Sequence, residues 1–207
     1  KTIGVIIPKL LTFLPTNKIY DKTQNAVLTI SGLIGSDNYL YSALFSDYNV
    51  GINKLVSISS TISSSINYQI SNTITYGNIL PFMLTPIVKT KLYNGTNDVS
   101  LTLSGIFIGD SIFYTNNYSF IDRFVGNNKL VSISASLFGP DSKNYIIPTI
   151  GQGNILPYPI QITNINKIYD GNNLAYLTFD TISGIYEIDR NFISISNNIG
   201  RYSSINI

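Results

Sequence analysis

The chain contains no cysteine, no histidine and no tryptophan, and Glu187 is its only glutamate. Without cysteine there are no disulfides or thiolate metal sites, and without histidine the commonest general base and metal ligand is missing. Charged residues make up 12% of the 207 residues, and the net charge of +2 comes from scattered lysines and arginines. We therefore predict no cofactor, no catalytic residues and no nucleic-acid partner.

Long apolar runs and strong helix formers are also scarce. The stretch GVIIPKLLTFLP at 4–15 contains a lysine and two prolines, and it falls well short of the roughly 20 apolar residues that cross a bilayer. β-Branched and aromatic residues abound instead, which favours an all-β fold without membrane insertion. Because the chain begins at Lys1 and carries no recognisable secretory signal, we expect it to be a fragment of a longer protein.

The most informative feature is a long internal repeat. The segment NKIYDKTQNAVLTISG at 17–32 returns as TKLYNGTNDVSLTLSG at 90–105 and as NKIYDGNNLAYLTFDTISG at 166–184. A second segment, FSDYNVGINKLVSIS at 45–59, returns as FIDRFVGNNKLVSIS at 120–134. Self-similarity at a fixed period indicates one structural unit that is built several times.

Each copy carries the same landmark residues in the same order. The motif tyrosines lie 73 and 76 residues apart, so we predict the tail of a preceding repeat at 1–7, a first repeat at 8–80, a second at 81–156 and an incomplete third at 157–207. We interpret the landmarks as fold-defining residues: the tyrosines Tyr20, Tyr93 and Tyr169; Asp21, Gly95 and Gly171 in the turns after them; the glycines Gly32, Gly105 and Gly184; the aspartates Asp37, Asp110 and Asp189; and the pairs Gly51 with Lys54 and Gly126 with Lys129.

Apolar residues alternate within each repeat. Ala26, Leu28 and Ile30 share one face while Thr29 faces the other way, as expected of a half-buried strand. Turn residues separate such runs at intervals of roughly ten residues, and helical periodicity is lacking. We predict an all-β fold of tandem small antiparallel β-sandwich (Ig-like) domains in an elongated array, with semi-rigid proline-containing connections such as GNILPFMLTPI at 77–87.

The ordered motifs resemble the YDG repeat, which occurs in tandem in bacterial surface proteins such as adhesins of the filamentous-haemagglutinin type. The shared order is (N/T)K(I/L)Y(D/N)G, then LTxSG with an aspartate five residues later, then FxDxxVGxxK and NY; within the YDG motif itself, Lys22 replaces the glycine in the first copy and Asn94 replaces the aspartate in the second. The resemblance implies an extracellular, repetitive, all-β stalk or adhesin segment without catalytic residues. The Ile-, Asn-, Lys- and Tyr-rich composition is typical of an AT-rich genome, whether of a low-GC bacterium or of a giant virus with a surface fibre.

Two interpretations of the Tyr-Asp motif are open. The tyrosines could stack on sugars with Asp21, Asn94 and Asp170 bonding hydroxyl groups. Alternatively, each ring packs at the end of a sandwich with its hydroxyl bonded to backbone, and the Asp/Asn-Gly pair forms a turn. The exchange of Asp for Asn favours the turn, because both residues supply the same side-chain oxygen.

The other aspartates and the repeated lysines also allow alternatives. Asp37, Asp110 and Asp189, with Asp47 and Asp122, could bind calcium between domains, but no local carboxylate cluster such as DxDxDG is present, which favours turn and loop-capping roles. Lys54 and Lys129 share strand parity with apolar residues, so each is either an edge lysine that snorkels to water or, in the less favoured reading, an isopeptide donor to an asparagine.

We therefore expect a structural repeat segment of a fibre or adhesin on a cell or virion surface, with neighbouring repeats of the same chain as partners and with possible self-association into a filament. The alternative is a binding module whose loops recognise a glycan or protein receptor on a host surface. The loops at 37–45 and 110–120 differ in length and residues, including Tyr114 and Tyr118, and this difference favours scaffolding. An enzyme is the least favoured class.

Overall fold

The computed structural model describes residues 3–60, 67–163, 165–196 and 199–203, with no side-chain description at position 60. The predicted repeats also contain positions 1–2, 61–66, 164, 197–198 and 204–207, which lie outside the described residues.

The described residues form short strands and three short 3₁₀ helices, at Ser142–Asn144, Phe179–Thr181 and Glu187–Phe192. In chain order the strands are β1 (Lys9–Pro15), β2 (Lys18–Ile19), β3 (Leu28–Ser31), β4 (Tyr41–Phe45), β5 (Gly51–Ser60), β6 (Tyr68–Ile70), β7 (Ile74–Leu80), β8 (Phe82–Met83), β9 (Thr85–Val88), β10 (Lys91–Leu92), β11 (Leu101–Ser104), β12 (Phe113–Tyr114), β13 (Tyr118–Phe120), β14 (Gly126–Ile133), β15 (Leu137–Phe138), β16 (Tyr145–Ile146), β17 (Ile150–Leu156), β18 (Gln161–Ile162), β19 (Leu174–Tyr176), β20 (Ile182–Ser183) and β21 (Ile199–Arg201).

The chain divides into two compact units that do not follow the repeat boundaries. Unit 1 contains 1–86, 103–116 and 135–148, and unit 2 contains 87–102, 117–134 and 149–207. Unit 1 therefore combines the first repeat with parts of the second, and unit 2 combines the remainder of the second repeat with the third. Consequently, a contact inside one unit can join two successive repeats.

Each unit contains a four-stranded sheet of the same design. In unit 1 the order is β2-β7-β5-β4, and in unit 2 it is β10-β17-β14-β13. The long strands β5 and β14 lie second from one edge, and side-chain alternation buries Val56 and Ile58 in the first and Val131 and Ile133 in the second. These sheets contribute part of the core in each unit, and β1 adds the buried Leu11 and Phe13 to that of unit 1.

The remaining sheets are small. In β1 the first half pairs in parallel with β6 and the second half pairs antiparallel with β3. In the second repeat the corresponding pairings are made by two separate strands. β8 pairs in parallel with β16, and β9 pairs with β11. The other pairs are β12 with β15, β18 with β20 and β19 with β21, all antiparallel.

The all-β class is confirmed, but the predicted antiparallel pairing is found for only part of the strands. Parallel pairings among the described residues include β1 with β6, β2 with β7, β8 with β16 and β10 with β17. Parallel neighbours need a long crossover connection, and here other strands of the repeat supply it. The local alternation of apolar residues is the same in both kinds of pairing and did not distinguish them.

None of the helices in the described part of the chain is long and apolar enough to cross a membrane.

Candidate functional site

The Tyr-Asp motif forms the same turn in all three copies. The side-chain oxygen at Asp21, Asn94 or Asp170 accepts a hydrogen bond from the backbone N–H two residues later, at 2.8, 3.1 and 3.2 Å. The residue between them has a positive φ of 64° at Lys22, 79° at Gly95 and 80° at Gly171. Because either Asp or Asn supplies the accepting oxygen, the turn tolerates their exchange.

A lysine three residues before each of these turn residues forms hydrogen bonds to the loop that follows. Lys18 Nζ donates to the carbonyl oxygens of Thr23 (2.8 Å) and Asn25 (2.9 Å). Lys91 and Lys167 bond the corresponding loops of their own repeats. In the first two copies the motif tyrosine lies between this loop and the short strand that precedes it, β2 or β10.

At what we call the first junction, the tyrosine of the first repeat bonds an aspartate of the second. Tyr20 donates its hydroxyl hydrogen bond to Asp110 Oδ2 at 2.7 Å, and Tyr145 of the second repeat donates to the same oxygen at 2.6 Å. Lys22 forms an ion pair with Asp110 Oδ1 at 2.7 Å. The Asp110 side chain is only 3% exposed, so three groups from two repeats share one buried carboxylate.

Burial and hydrogen bonding shift the pKa values of these groups in opposite directions. Burial raises the pKa of Asp110, but the hydrogen bonds from Lys22, Tyr145 and Tyr20 outweigh it and hold that pKa below its usual range. Burial and then the bond to Asp110 raise the pKa of Tyr145 to about 12, and the same two causes raise the pKa of Tyr20. At neutral pH the junction therefore contains a carboxylate with two neutral phenols as donors.

Aromatic packing encloses this carboxylate. The Tyr20 ring is fully buried and lies edge-on to Phe107 and Tyr145, with centroid distances of 5.6 and 5.5 Å. Beside it, the buried Asn144 accepts a hydrogen bond from the Val50 backbone N–H at 2.9 Å and donates to Asn49 Oδ1 at 3.1 Å. The first and second repeats thus also meet through backbone and amide contacts.

What we call the second junction has the same plan between the second and third repeats. Tyr93 donates to Asp189 Oδ2 at 2.6 Å, and Arg123 Nη2 lies 3.2 Å from Asp189 Oδ1. The Tyr93 ring packs edge-on to Tyr186 at 5.8 Å, and Tyr186 in turn meets Tyr158 at 5.4 Å. Burial, followed by the bond to Asp189, raises the pKa of Tyr93.

These contacts correct two interpretations drawn from the sequence. The hydroxyls of Tyr20 and Tyr93 bond a carboxylate of the next repeat, not backbone. The aspartates form turns through their backbone, as when the Asp110 N–H donates to the Phe107 carbonyl oxygen at 3.1 Å, but their side chains are acceptors for tyrosine. The remaining aspartate and tyrosine landmarks, Asp37 and Tyr169, make no Tyr-Asp contact between repeats among the described residues. Asp37 accepts a hydrogen bond from Tyr68 of its own repeat, and Tyr169 is 60% exposed.

The glycines that close the repeated segment have positive φ and lie where a side chain would collide with neighbouring atoms. Gly32 has φ 105°, and a Cβ there would lie 2.8 Å from the Leu10 carbonyl oxygen. Gly184 has φ 92°, and its Cβ would lie 2.5 Å from the Pro159 carbonyl oxygen. Gly105, with φ 101°, is crowded by the Phe82 ring at 2.8 Å. No other residue type fits these positions without strain.

The repeated lysines form ion pairs with aspartates inside their own repeats. Lys54 Nζ lies 2.6 Å from Asp47 Oδ1, and Lys129 Nζ lies 2.5 Å from Asp122 Oδ1. The hydrogen bond from Lys54 is the main cause that lowers the pKa of Asp47. This geometry replaces the expectation of a lysine that extends to water, and it places a carboxylate, not an asparagine, at the ammonium group.

Gly51 and Gly126 make room for these lysines at a bulge in the sheet. A Cβ on Gly51 would lie 3.0 Å from Cδ of Lys54, and one on Gly126 would lie 3.1 Å from Cδ of Lys129. The register of β5 and β14 shifts between the glycine and the lysine. The VGxNK motif therefore encodes a β-bulge at which the lysine packs against the glycine and forms an ion pair with an aspartate.

No group of three or more Asp or Glu side chains that could hold a metal comes together among the described residues. The aspartates considered for calcium binding are instead occupied by tyrosine, lysine or arginine donors.

No curated protein and no solved structure matches the chain. A match is found for one family: residues 82–151 fit the model of the YDG domain. This range covers most of the predicted second repeat, including the Tyr93 motif, Asp110 and Tyr145. The chain therefore contains a YDG domain at residues 82–151.

Proposed function

We propose that this chain is a non-catalytic structural segment of a surface fibre or adhesin, extracellular or on a virion, in which tandem small β-sandwich repeats form a semi-rigid stalk. The observation that carries the proposal is the recurrence of the Tyr-Asp contact between successive repeats, from Tyr20 to Asp110 and from Tyr93 to Asp189. A contact that recurs at successive repeats serves to join them.

The connections between repeats support this role. Between β7 of the first repeat and β8 of the second there is a single residue, Pro81. Proline restricts its own φ and removes a backbone donor, so such a link has little freedom. A short link together with a buried charge-assisted bond limits bending between the repeats that it joins.

The location can be tested by immunogold electron microscopy of intact source cells or particles, with antibodies raised against this chain. We expect gold along filaments that project from the surface. Preimmune serum is the control for nonspecific gold. Label confined to the interior of permeabilised cells would contradict the proposal.

A second candidate function is receptor recognition by inter-strand loops, and one observation favours it. Phe113 and Phe138 stack with an interplanar angle of 26° and a centroid distance of 5.6 Å, although they are 55% and 52% exposed. Adjacent exposed rings form a continuous apolar surface, and larger surfaces of this kind mark binding sites. Binding to a glycan array that is lost in Phe113→Ala and kept in Phe192→Ala, another exposed phenylalanine, would establish this function.

A further inference from the structure

The first repeat carries the same face that the second repeat uses at the first junction. Asp37, Tyr68 and Asn67 stand at the positions of Asp110, Tyr145 and Asn144 in the repeat alignment. The internal geometry is also the same: the Ile34 backbone N–H donates to the Tyr68 hydroxyl at 3.1 Å, as that of Phe107 does to Tyr145 at 3.0 Å, and each tyrosine donates to its own aspartate.

The two faces differ in what covers them. In the second repeat Asn144 is fully buried and Tyr145 is 5% exposed, because Tyr20, Val50 and Asn49 of the preceding repeat lie against them. In the first repeat Asp37 and Asn67 are exposed and Tyr68 is half-buried. Asp37 accepts one hydrogen bond, from Tyr68, and no second donor reaches it among the residues that the structure describes.

The segment before β1 shows the same difference. Residues 3–7 align with 76–80, which form most of β7 in the four-stranded sheet. Ile79 of β7 is 1% exposed, whereas Ile6 at the same repeat position is 99% exposed. Ile3, Val5 and Ile7 are likewise 89, 82 and 78% exposed. An exposed apolar segment of this kind is suited to pairing within a sheet.

We propose that residues 3–7 and the face formed by Ile34, Asp37, Asn67 and Tyr68 are a docking surface for another YDG-type repeat placed directly before this one in the same polypeptide. Residues 3–7 complete the four-stranded sheet of that repeat as its β7. Its motif tyrosine donates to Asp37, as Tyr20 donates to Asp110. This inference rests on the proposed function, because it names the partner that a stalk segment contacts at this face.

The chemistry of the face fits a tyrosine with a neighbouring cation. Ile34, which is 58% exposed, takes the place of Phe107 and offers an apolar side to the incoming ring. The Asp37 oxygen that Tyr68 does not use is available for a lysine or arginine, the two cations that the described junctions use. An incoming repeat with either arrangement would satisfy this carboxylate.

The test extends the full chain at its N-terminus by a copy of its own residues 1–73. Position 73 of the copy is joined directly to Lys1, so residues 1–7 stand where 74–80 normally follow. The copy lacks its own β7, and its sheet can form only if residues 3–7 take that place. Hydrogen exchange should slow at least 100-fold at residues 3–7 of the extended chain relative to the original chain, and the copy should fold.

Two variants separate docking from general folding. Ile6→Asp in the segment before β1 should unfold the added copy but leave the original chain unchanged, since Ile6 is exposed there. Tyr20→Phe in the copy alone should speed exchange around Asp37. Asp180→Asn, at an exposed position of the third repeat, is the matched control and should change neither.

An added copy that folds while residues 3–7 exchange as fast as in the original chain would overturn the inference. A copy that stays unfolded with residues 3–7 as they are, but folds when they are replaced by the YGNIL sequence of 76–80, would also overturn it. Either result combined with gold-labelled surface filaments would leave the proposed function intact and reject the docking surface alone.

Discussion

The two junctions keep the tyrosine and the aspartate but change the cation. At the first junction the positive charge comes from Lys22 in the Tyr-Asp loop, and at the second it comes from Arg123, which follows the F-x-D motif. The aligned positions are reversed: Gly95 stands where Lys22 is, and Tyr48 stands where Arg123 is. Both junctions thus place a cation beside the carboxylate, but the cation comes from a different position of the repeat in each.

The junctions also differ in how many of their buried polar groups have a hydrogen-bond partner. The first has a second phenol, Tyr145, and all three groups on Asp110 are direct donors. At the second, Nη1 of Arg123 is buried and meets no acceptor among the described residues. A buried donor without a partner lowers stability, so we expect the first junction to be the stronger of the two.

Removal of the tyrosine rings should give the largest difference between the junctions. Tyr20→Ala deletes a fully buried ring and should lower the free energy of unfolding by about 3–5 kcal/mol. Tyr93→Ala should cost about half as much because that ring is only half-buried. Denaturant unfolding combined with site-resolved hydrogen exchange measures both changes.

The control for ring loss is Tyr176→Ala, because Tyr176 is 57% exposed; it should alter stability by less than about 0.5 kcal/mol. An equal decrease in the free energy of unfolding for Tyr20→Ala and Tyr93→Ala would show that burial of the ring does not determine which junction is more stable.

The aspartates provide the next largest contrast. Asp110→Ala leaves two buried phenol hydroxyls without their acceptor and removes the ion pair of Lys22, which keeps its hydrogen bond to the Ile108 carbonyl oxygen, so the free energy of unfolding should fall by about 3 kcal/mol. The same change at the exposed Asp37 should cost less than about 0.5 kcal/mol in this chain. Thermal unfolding of both variants at pH 7 compares them directly, and a large loss for Asp37→Ala would show that its face is not free.

Alkaline pH should weaken the first junction through Tyr145. Its pKa is raised to about 12 in the folded chain, whereas an unfolded tyrosine titrates near 10. Its stabilising contribution is complete below pH 10 and decreases by about 1.4 kcal/mol per pH unit as the pH rises towards 12. Between pH 10 and pH 12 the free energy of unfolding should fall by about 2–3 kcal/mol less in Tyr145→Phe than in the original chain.

In this alkaline experiment Tyr176→Phe serves as the control and should keep the slope of the original chain. A Tyr145→Phe variant with an unchanged slope would show that the phenol does not retain its proton at the junction.

The sequence predicted those features that depend on local pattern. Alternation located β3 and β11, since Leu28 and Leu101 are buried where the period-two pattern places them. In the third copy the same alternation of Ala175, Leu177 and Phe179 favours a strand up to Phe179, but β19 ends at Tyr176 and a 3₁₀ helix begins at Phe179. Extra residues between Leu177 and Ser183 interrupt the alternation there, so the local signal was lost.

The junctions could not be predicted from the same pattern. Tyr20 and Asp110 are 90 residues apart, and each repeat contains its own aspartate at the same offset, so the sequence is equally compatible with a bond from Tyr20 to Asp37. Which copy pairs with which depends on how the sheets of successive repeats pack. The departure at Lys22 was the available signal, because a lysine with positive φ is unfavourable unless its side chain gains a partner.

Exchange of the cations should have the smallest effect on stability and the most specific effect on titration. Lys22→Gly loses the ion pair to Asp110 but relieves a positive φ that costs about 1 kcal/mol, so stability should change by less than about 1 kcal/mol. Lys22→Ala keeps the strain and should be less stable than Lys22→Gly.

In both variants the pKa of Asp110 should rise, because the Lys22 hydrogen bond helps to hold it low. Adding Tyr48→Arg to Lys22→Gly rebuilds the arrangement of the second junction and should bring that pKa down again. Carboxyl-carbon NMR titration of Asp110 measures each step, and an unchanged pKa after Lys22→Gly would show that the cation is not part of the junction.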